Sequence, residues 1–269
     1  RVMDECLAIK PDLIFLWDEA WSAFARFSPF LRRRTAMGGA AHMRRVQRLP
    51  KHREKYLEFK SKGIALDGSD PRALDEPLLP DPDAVKVRVY QTTSVHKSMS
   101  ALRQGSMILV ADDDFGDAEE AFKEAYYTHT STSPNLQIIA SLDIARRQME
   151  LEGYELSSSA LALTVDLRDQ VNRNPTIFKY FQALTPMQLI PAPLRLSLRN
   201  QGIAGVSSWD DTVAAIEADE FFLDPTRVTV MCGAAGMDGS EFKALLASEY
   251  EIQINKTSRN SVLFQLNIN

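Results

Sequence analysis

Five consecutive apolar residues, Leu13-Ile14-Phe15-Leu16-Trp17, end abruptly at Asp18-Glu19. A short run of this kind suits a strand covered on both faces, as in a parallel sheet. Ligands of open parallel sheets bind at the carboxyl ends of the strands. Asp18 is therefore placed where such a sheet does its chemistry, although it equally suits the N-cap of a following helix.

Residues 86–92 alternate with period two and predict a second strand with one wetter face. Residues 106–111 predict a third, buried one. Helical spacing is read over 117–127, with acids in its first turn, and again from Pro134 to about 151, where Gly153 suits a helix stop. Beyond it come helices over 157–172, 209–218 and 240–250, a proline-containing loop over 175–193, and strands over 227–231, 252–256 and 262–268. The change of character near residue 150 divides the chain into a larger α/β part, residues 1–150, and a smaller α/β domain, residues 151–269.

One stretch of the larger part is set apart by its charge, and its acidic half, residues 67–83, reads as an excursion without a core of its own. Residues 44–62 hold eight Lys or Arg against two Glu and predict one solvated helix. Residues 67–83 hold six acids, one Arg and four prolines. The order suggests a self-complementary surface hairpin, with two independently solvated stretches as the plainer alternative. This charged segment, about 44–84, reads as an insertion on a loop.

Composition removes several functions. The balance of 31 basic against 36 acidic residues, net −5, lacks the basic excess of a nucleic-acid-binding surface. Two distant cysteines, Cys6 and Cys232, and four scattered histidines give neither a disulfide framework nor metal-ligand spacing. They fit reduced thiols in a cytoplasmic protein. No run approaches the ~20 apolar residues of a membrane span. The chain opens on Arg1 without a signal-peptide pattern and closes within a strand pattern, which predicts a fragment of something longer.

The chemistry is concentrated in Thr93-Ser94-Val95-His96-Lys97-Ser98, directly after the period-two strand. An amine at a strand end, among hydroxyl groups and an imidazole, suits one that must reach an aldehyde beside a phosphate. Taken alone, the same residues suit a solvated turn. A second cluster, His129-Thr130-Ser131-Thr132-Ser133-Pro134, places hydroxyl groups at a helix start, where they either bind phosphate or cap the helix.

In order, Asp-Glu-Ala-Trp from Asp18, Ser-Val-His-Lys from Ser94, Gln-Gly-Ser-Met-Ile from Gln104 and His-Thr-Ser-Thr-Ser-Pro from His129 resemble the bacterial ornithine/lysine/arginine decarboxylases. The closing Asp224-Pro225-Thr226-Arg227-Val228 and Asn260-Ser261-Val262-Leu263-Phe264 fit as well. The resemblance implies the aspartate-aminotransferase fold, fold type I, with a mostly parallel sheet in the large domain. It implies pyridoxal phosphate held by Lys97 as a Schiff base. Asp18 would pair with the pyridine nitrogen, Ala20 pack on the ring, Trp21 wall the site, and Ser94 and His96 contact the phosphate. Ser131 and Thr132 would reach the cofactor of a neighbouring subunit in a homodimer. The implied reaction is decarboxylation of a basic amino acid, arginine slightly favoured, to the amine and CO₂. An aminotransferase, or a non-catalytic assembly or regulatory relative, remains the alternative.

Two departures stand out. Asp18 and Lys97 are farther apart than in the family, by the length of the charged segment. No phosphate loop precedes Asp18, so the chain alone is expected to hold an incomplete pocket and to be inactive.

Overall fold

The computed structural model describes residues 1–195, 197 and 208–268. It divides into two units, Arg1–Leu151 and Glu152–Asn269. The first unit contains helices α1 (Val2–Ile9), α2 (Ala36–Gln47), α3 (Pro50–Ser61), α4 (Arg72–Asp75) and α5 (Phe115–His129), with strands β1 (Ile14–Asp18), β2 (Arg88–Thr93) and β3 (Met107–Asp112). The strands lie in the order β1-β2-β3. β1 and β2 are parallel, with Asp18 opposite Thr92. β3 returns antiparallel to β2, so the sheet is mixed. The connection from β2 to β3 is a compact turn segment without a crossover helix, and an antiparallel return is what such a connection allows.

Alternation along β1 decides which face is filled. Phe15 is buried with Val87 and Val89, and Leu7 of α1 and Ala36, Ala40 and Met43 of α2 close over them. On the opposite face Ile14 and Leu16 are 52% and 74% exposed. The reading of β1 as covered on both faces is therefore corrected: α1 and α2 pack on the Phe15 side only. That other face is met at Tyr90 by Phe122 of α5, ring centroids 6.0 Å apart. β3 is likewise half-exposed, at Ile108 and Leu109, because it forms the sheet's edge.

The charged segment is built differently from the reading. Its basic part is two helices, and α2 already belongs to the core. The start of α2 is tightly built: a Cβ on Gly38 would fall on the carbonyl oxygen of Arg32, in the turn just before the helix. α3 buries His52 and Phe59, and Leu78 and Pro80 of the acidic stretch are buried too. The acidic stretch folds back on α3 through Arg53 to Asp83, Lys62 to Glu76 at 2.7 Å and Tyr56 Oη to Asp81 at 2.9 Å. Exposed pairs of this kind are screened by solvent and contribute little to stability, so the buried apolar residues hold the hairpin and the charges set its register.

Gly153 does not stop a helix. A single helix, α6 (Leu136–Arg173), runs through it and through the division between the units. Glycine in a helix interior costs about 1 kcal/mol relative to alanine. Gly153 is buried, however, and a buried backbone must keep its hydrogen bonds. Its carbonyl also accepts the Ser157 hydroxyl at 2.6 Å.

The second unit adds α7 (Pro175–Phe178), β4 (Gln182–Ala183), α8 (Pro186–Leu189), α9 (Trp209–Ala218), β5 (Arg227–Met231), α10 (Gly239–Tyr250), β6 (Lys256–Thr257) and β7 (Ser261–Gln265). Its sheet, β4-β5-β7-β6, is antiparallel throughout. Ala183, Val228, Val230, Ile254 and Val262 form its core. The strand expected over 252–256 shrinks to β6, with Ile254 serving as a core anchor ahead of it. Among the described residues no helix is long and apolar enough to cross a membrane.

Candidate active site

Parallel pairing brings the carboxyl ends of β1 and β2 side by side, and these two ends carry six of the eight expected site residues. Asp18 is the last residue of β1 and is exposed. Its Oδ1 accepts the Ala20 N–H at 3.0 Å, closing a tight turn through which Ala20 and Trp21 follow, both half-buried. Asp18 is thus held by an Asx turn of its own and caps no α-helix.

β2 leads after Thr93 into one 3₁₀ turn, Val95–Lys97. The turn is anchored from below: Val95 is 2% and Met99 5% exposed, whereas Lys97 is exposed. Lys97 N–H donates to the Ser94 carbonyl at 3.0 Å. The start of α6 seats the rest of the segment, Ser141 Oγ accepting Leu102 N–H at 3.0 Å and Gln148 Oε1 accepting the Ser100 hydroxyl at 2.7 Å.

His96 lies 2.9 Å from the Gly105 carbonyl through Nδ1. A carbonyl only accepts, so Nδ1 carries a proton. Any further donation must come from Nε2, which requires the ring to be doubly protonated. Gly105 is tightly enclosed, since a Cβ there would lie 2.9 Å from Leu142 and 3.0 Å from the Leu102 carbonyl.

Ser131 and Thr132 are elsewhere, on the exposed segment between α5 and α6. Ser131 Oγ accepts Ser133 N–H at 3.1 Å. The first N–H groups of α6 go to Asn135 instead, from Gln137 at 2.9 Å and Ile138 at 3.2 Å. The hydroxyl cluster is therefore not the cap of α6.

The sequence reading missed the residues behind the strand ends. The first turn of α2 receives three side-chain acceptors: Glu19 Oε1 takes Ala36 N–H at 2.6 Å, Gln91 Oε1 takes Met37 N–H at 3.2 Å, and Thr35 Oγ1 takes Gly38 N–H at 3.1 Å. Gln91 had a signal, being a polar residue on the inward-facing parity of an alternating strand. Three buried polar atoms lack a hydrogen-bond partner beside the expected site residues: Trp17 Nε1 and Glu19 Oε2 next to Asp18, and Ser98 Oγ next to Lys97.

Burial pushes the Glu19 carboxyl up, offset in part by the Ala36 N–H. A carboxyl raised in this way holds its proton more tightly when folded. Its contribution is present below the ordinary glutamate range and is lost as pH rises through the raised value. Glu19→Gln keeps the acceptor without the charge. The variant is expected to gain stability over the parent near neutral pH and not in acid, measured by urea unfolding at the two pH values. An equal difference at both would contradict the buried-charge account.

A cavity of about 140 Å³ is lined by residues of α1, α3, the loop after α3 and the acidic stretch and not by Asp18 or Lys97. Among the described residues no group of His, Cys, Asp and Glu could hold a metal ion.

A family model described as Orn/Lys/Arg decarboxylase, major domain, matches residues 72–269. That stretch includes Ser94, His96, Lys97, Ser131 and Thr132, whereas Asp18, Ala20 and Trp21 lie ahead of it. The inducible lysine decarboxylase of Escherichia coli K12 is 30% identical over 194 residues, 67% of this chain and 25% of its own length. The arginine decarboxylase of Bacillus subtilis is 27% identical over 123 residues, 44% of this chain and 25% of its length. The chain thus spans about a quarter of the length of these curated relatives. The crystal structure of the Francisella novicida lysine decarboxylase matches with a TM-score of 0.56 at 22% identity, covering 94% of this chain and 29% of that one. The fold is that of the fold type I decarboxylases, as expected.

Proposed function

We propose that this chain, which belongs to the Orn/Lys/Arg decarboxylase family, is the cofactor-holding portion of a pyridoxal-phosphate-dependent enzyme that decarboxylates a basic amino acid to the amine and CO₂. The observation that carries the reading is the family match over the Lys97 turn, together with the register that sets Asp18 at the adjoining strand end. The leaning toward arginine gives way to lysine, because the lysine decarboxylase match covers 67% of the chain against 44% for the arginine enzyme.

The residues fit pyridoxal phosphate by their chemistry: an exposed amine and a carboxylate on neighbouring strand ends, with a hydroxyl, an imidazole and the unpartnered Ser98 Oγ close in sequence. When bound, that group supplies a ring that accepts the electron pair left as CO₂ departs. Lys97 provides the amine that holds it, on a turn whose backbone is fixed by buried neighbours. Asp18 provides negative charge that favours a proton on the ring nitrogen. Ser94 and His96 serve the phosphate, His96 through Nε2, since Nδ1 is committed to Gly105. Ala20 and Trp21 border the ring. Ser131 and Thr132, exposed and not used as the cap of α6, serve the site of a second subunit in a homodimer.

The test is CO₂ and amine release by the intact protein with pyridoxal phosphate and lysine, ornithine or arginine. Stoichiometric CO₂ and amine, fastest from lysine, is the expected result. Formation of 2-oxo acid would make it an aminotransferase, and no turnover of any of the three would favour an assembly or regulatory relative.

A further inference from the structure

Asp18 and Glu19 are adjacent in sequence but serve opposite sides of the sheet. The Glu19 N–H continues the ladder past the end of β1, donating to the Thr92 carbonyl at 2.9 Å. Its carboxylate crosses to the helix side and accepts Ala36 N–H at 2.6 Å, in the first turn of α2. Trp17, on the other flank of Asp18, packs against the α2 core. With both neighbours tied to the helix side, strand alternation directs Asp18 to the other side.

We infer that Glu19 is a positioning residue: by tying the end of β1 to the first turn of α2, it fixes the direction of the Asp18 carboxylate and so the binding of the cofactor. The inference rests on the proposed pairing of Asp18 with the ring nitrogen. Three features support a role beyond capping. The tie is short, it crosses 17 residues of sequence, and its second oxygen, Oε2, is buried without a partner. A helix cap alone needs only a local Ser, Thr or Asp, and Thr35 already provides one for Gly38.

The experiment uses the intact protein and reads pyridoxal phosphate affinity and the visible absorbance of the bound cofactor, with the urea midpoint of the cofactor-free protein beside them. Asp18→Asn is expected to weaken binding and shift the band. Glu19→Ala is expected to shift it in the same direction and weaken binding roughly tenfold, as loss of a supporting residue does in other sites. Glu19→Gln, which keeps the acceptor, restores both to within about twofold. If Asp18→Asn changes neither reading, the assignment of Asp18 fails and the inference falls with it. If Asp18→Asn acts but Glu19→Ala lowers only the urea midpoint, Glu19 is a helix cap and the inference alone is overturned. Should Glu19→Ala not fold, Ala36→Pro breaks the same tie from the helix side. Proline is favoured at the first helical position, and Thr35 already has the extended backbone that precedes it, φ −81° and ψ 155°. An unchanged band and affinity in Ala36→Pro would likewise overturn the inference.

Discussion

Lys97→Ala in the intact protein is expected to lower cofactor-dependent turnover by on the order of ten-thousandfold, as removal of a covalent catalytic group does elsewhere, while leaving the fold intact. The two halves of that expectation come from different observations. Loss of turnover follows from the chemistry: no other amine occurs in the Ser94–Ser98 turn to take its place. Retention of the fold follows from the anchoring. The turn is held by Val95 and Met99, both buried, by Ser94 accepting from the Lys97 backbone, and by Ser141 and Gln148 of α6. Alanine keeps all of these. Substitution of an exposed side chain away from core or caps usually changes stability by no more than about 0.5 kcal/mol. Turnover and a urea midpoint measured on one preparation separate the two effects. A variant with full cofactor-dependent turnover would end the catalytic reading, whereas a large fall in the midpoint would show that Lys97 holds the turn itself.

The parts of the fold that could be read from sequence are those where local signals suffice. The alternation over 86–92 is β2, and the apolar run ending at Asp18 is β1. The capped segments α9 and α10 begin at or beside the residues expected, where Ser208 and Asp238 accept the first-turn N–H groups. Misreadings occur where tertiary contact outweighs a local preference. Gly153 has the composition of a stop, yet its burial keeps the backbone helical. The basic stretch reads as solvated because its charges are visible in sequence, while the short face that buries α2, Ala36, Ala40 and Met43, carries a weak signal. Sequence order sets Asp18 and Lys97 in the proposed site, but Glu19 and Gln91 act through contacts 17 and 54 residues away, which no local pattern encodes.

Arg168 takes this furthest, and replacing it should produce the largest stability loss outside the site. In sequence it lies in Asp166-Leu167-Arg168-Asp169, which reads as the charged face of a helix. In the structure it is 5% exposed. Its guanidinium donates to three backbone carbonyls on the approach to and start of β5: Pro225 at 3.1 Å, Asp224 at 3.3 Å and Arg227. Burial pushes its pKa down to about 10, opposed by the nearby Asp224, so it still carries its charge at neutral pH. Arg168→Met retains much of the volume but removes every donor. Each carbonyl left buried and unpaired costs about 1–3 kcal/mol; that of Asp224 keeps the Arg227 N–H at 3.3 Å, and the buried cation's own desolvation cost disappears. The net expectation is a loss of about 3 kcal/mol, large against the ~5–15 kcal/mol that holds a typical domain. Arg168→Lys keeps a charge but concentrates its donors at one nitrogen, which cannot span three carbonyls, so it should fall between the two. Urea unfolding followed by a probe in the second unit measures all three proteins. If methionine unfolds at the parent's midpoint, the carbonyls find other donors and Arg168 does not hold the entry to β5. If lysine matches the parent while methionine fails, it is the charge and not the fork of donors that matters.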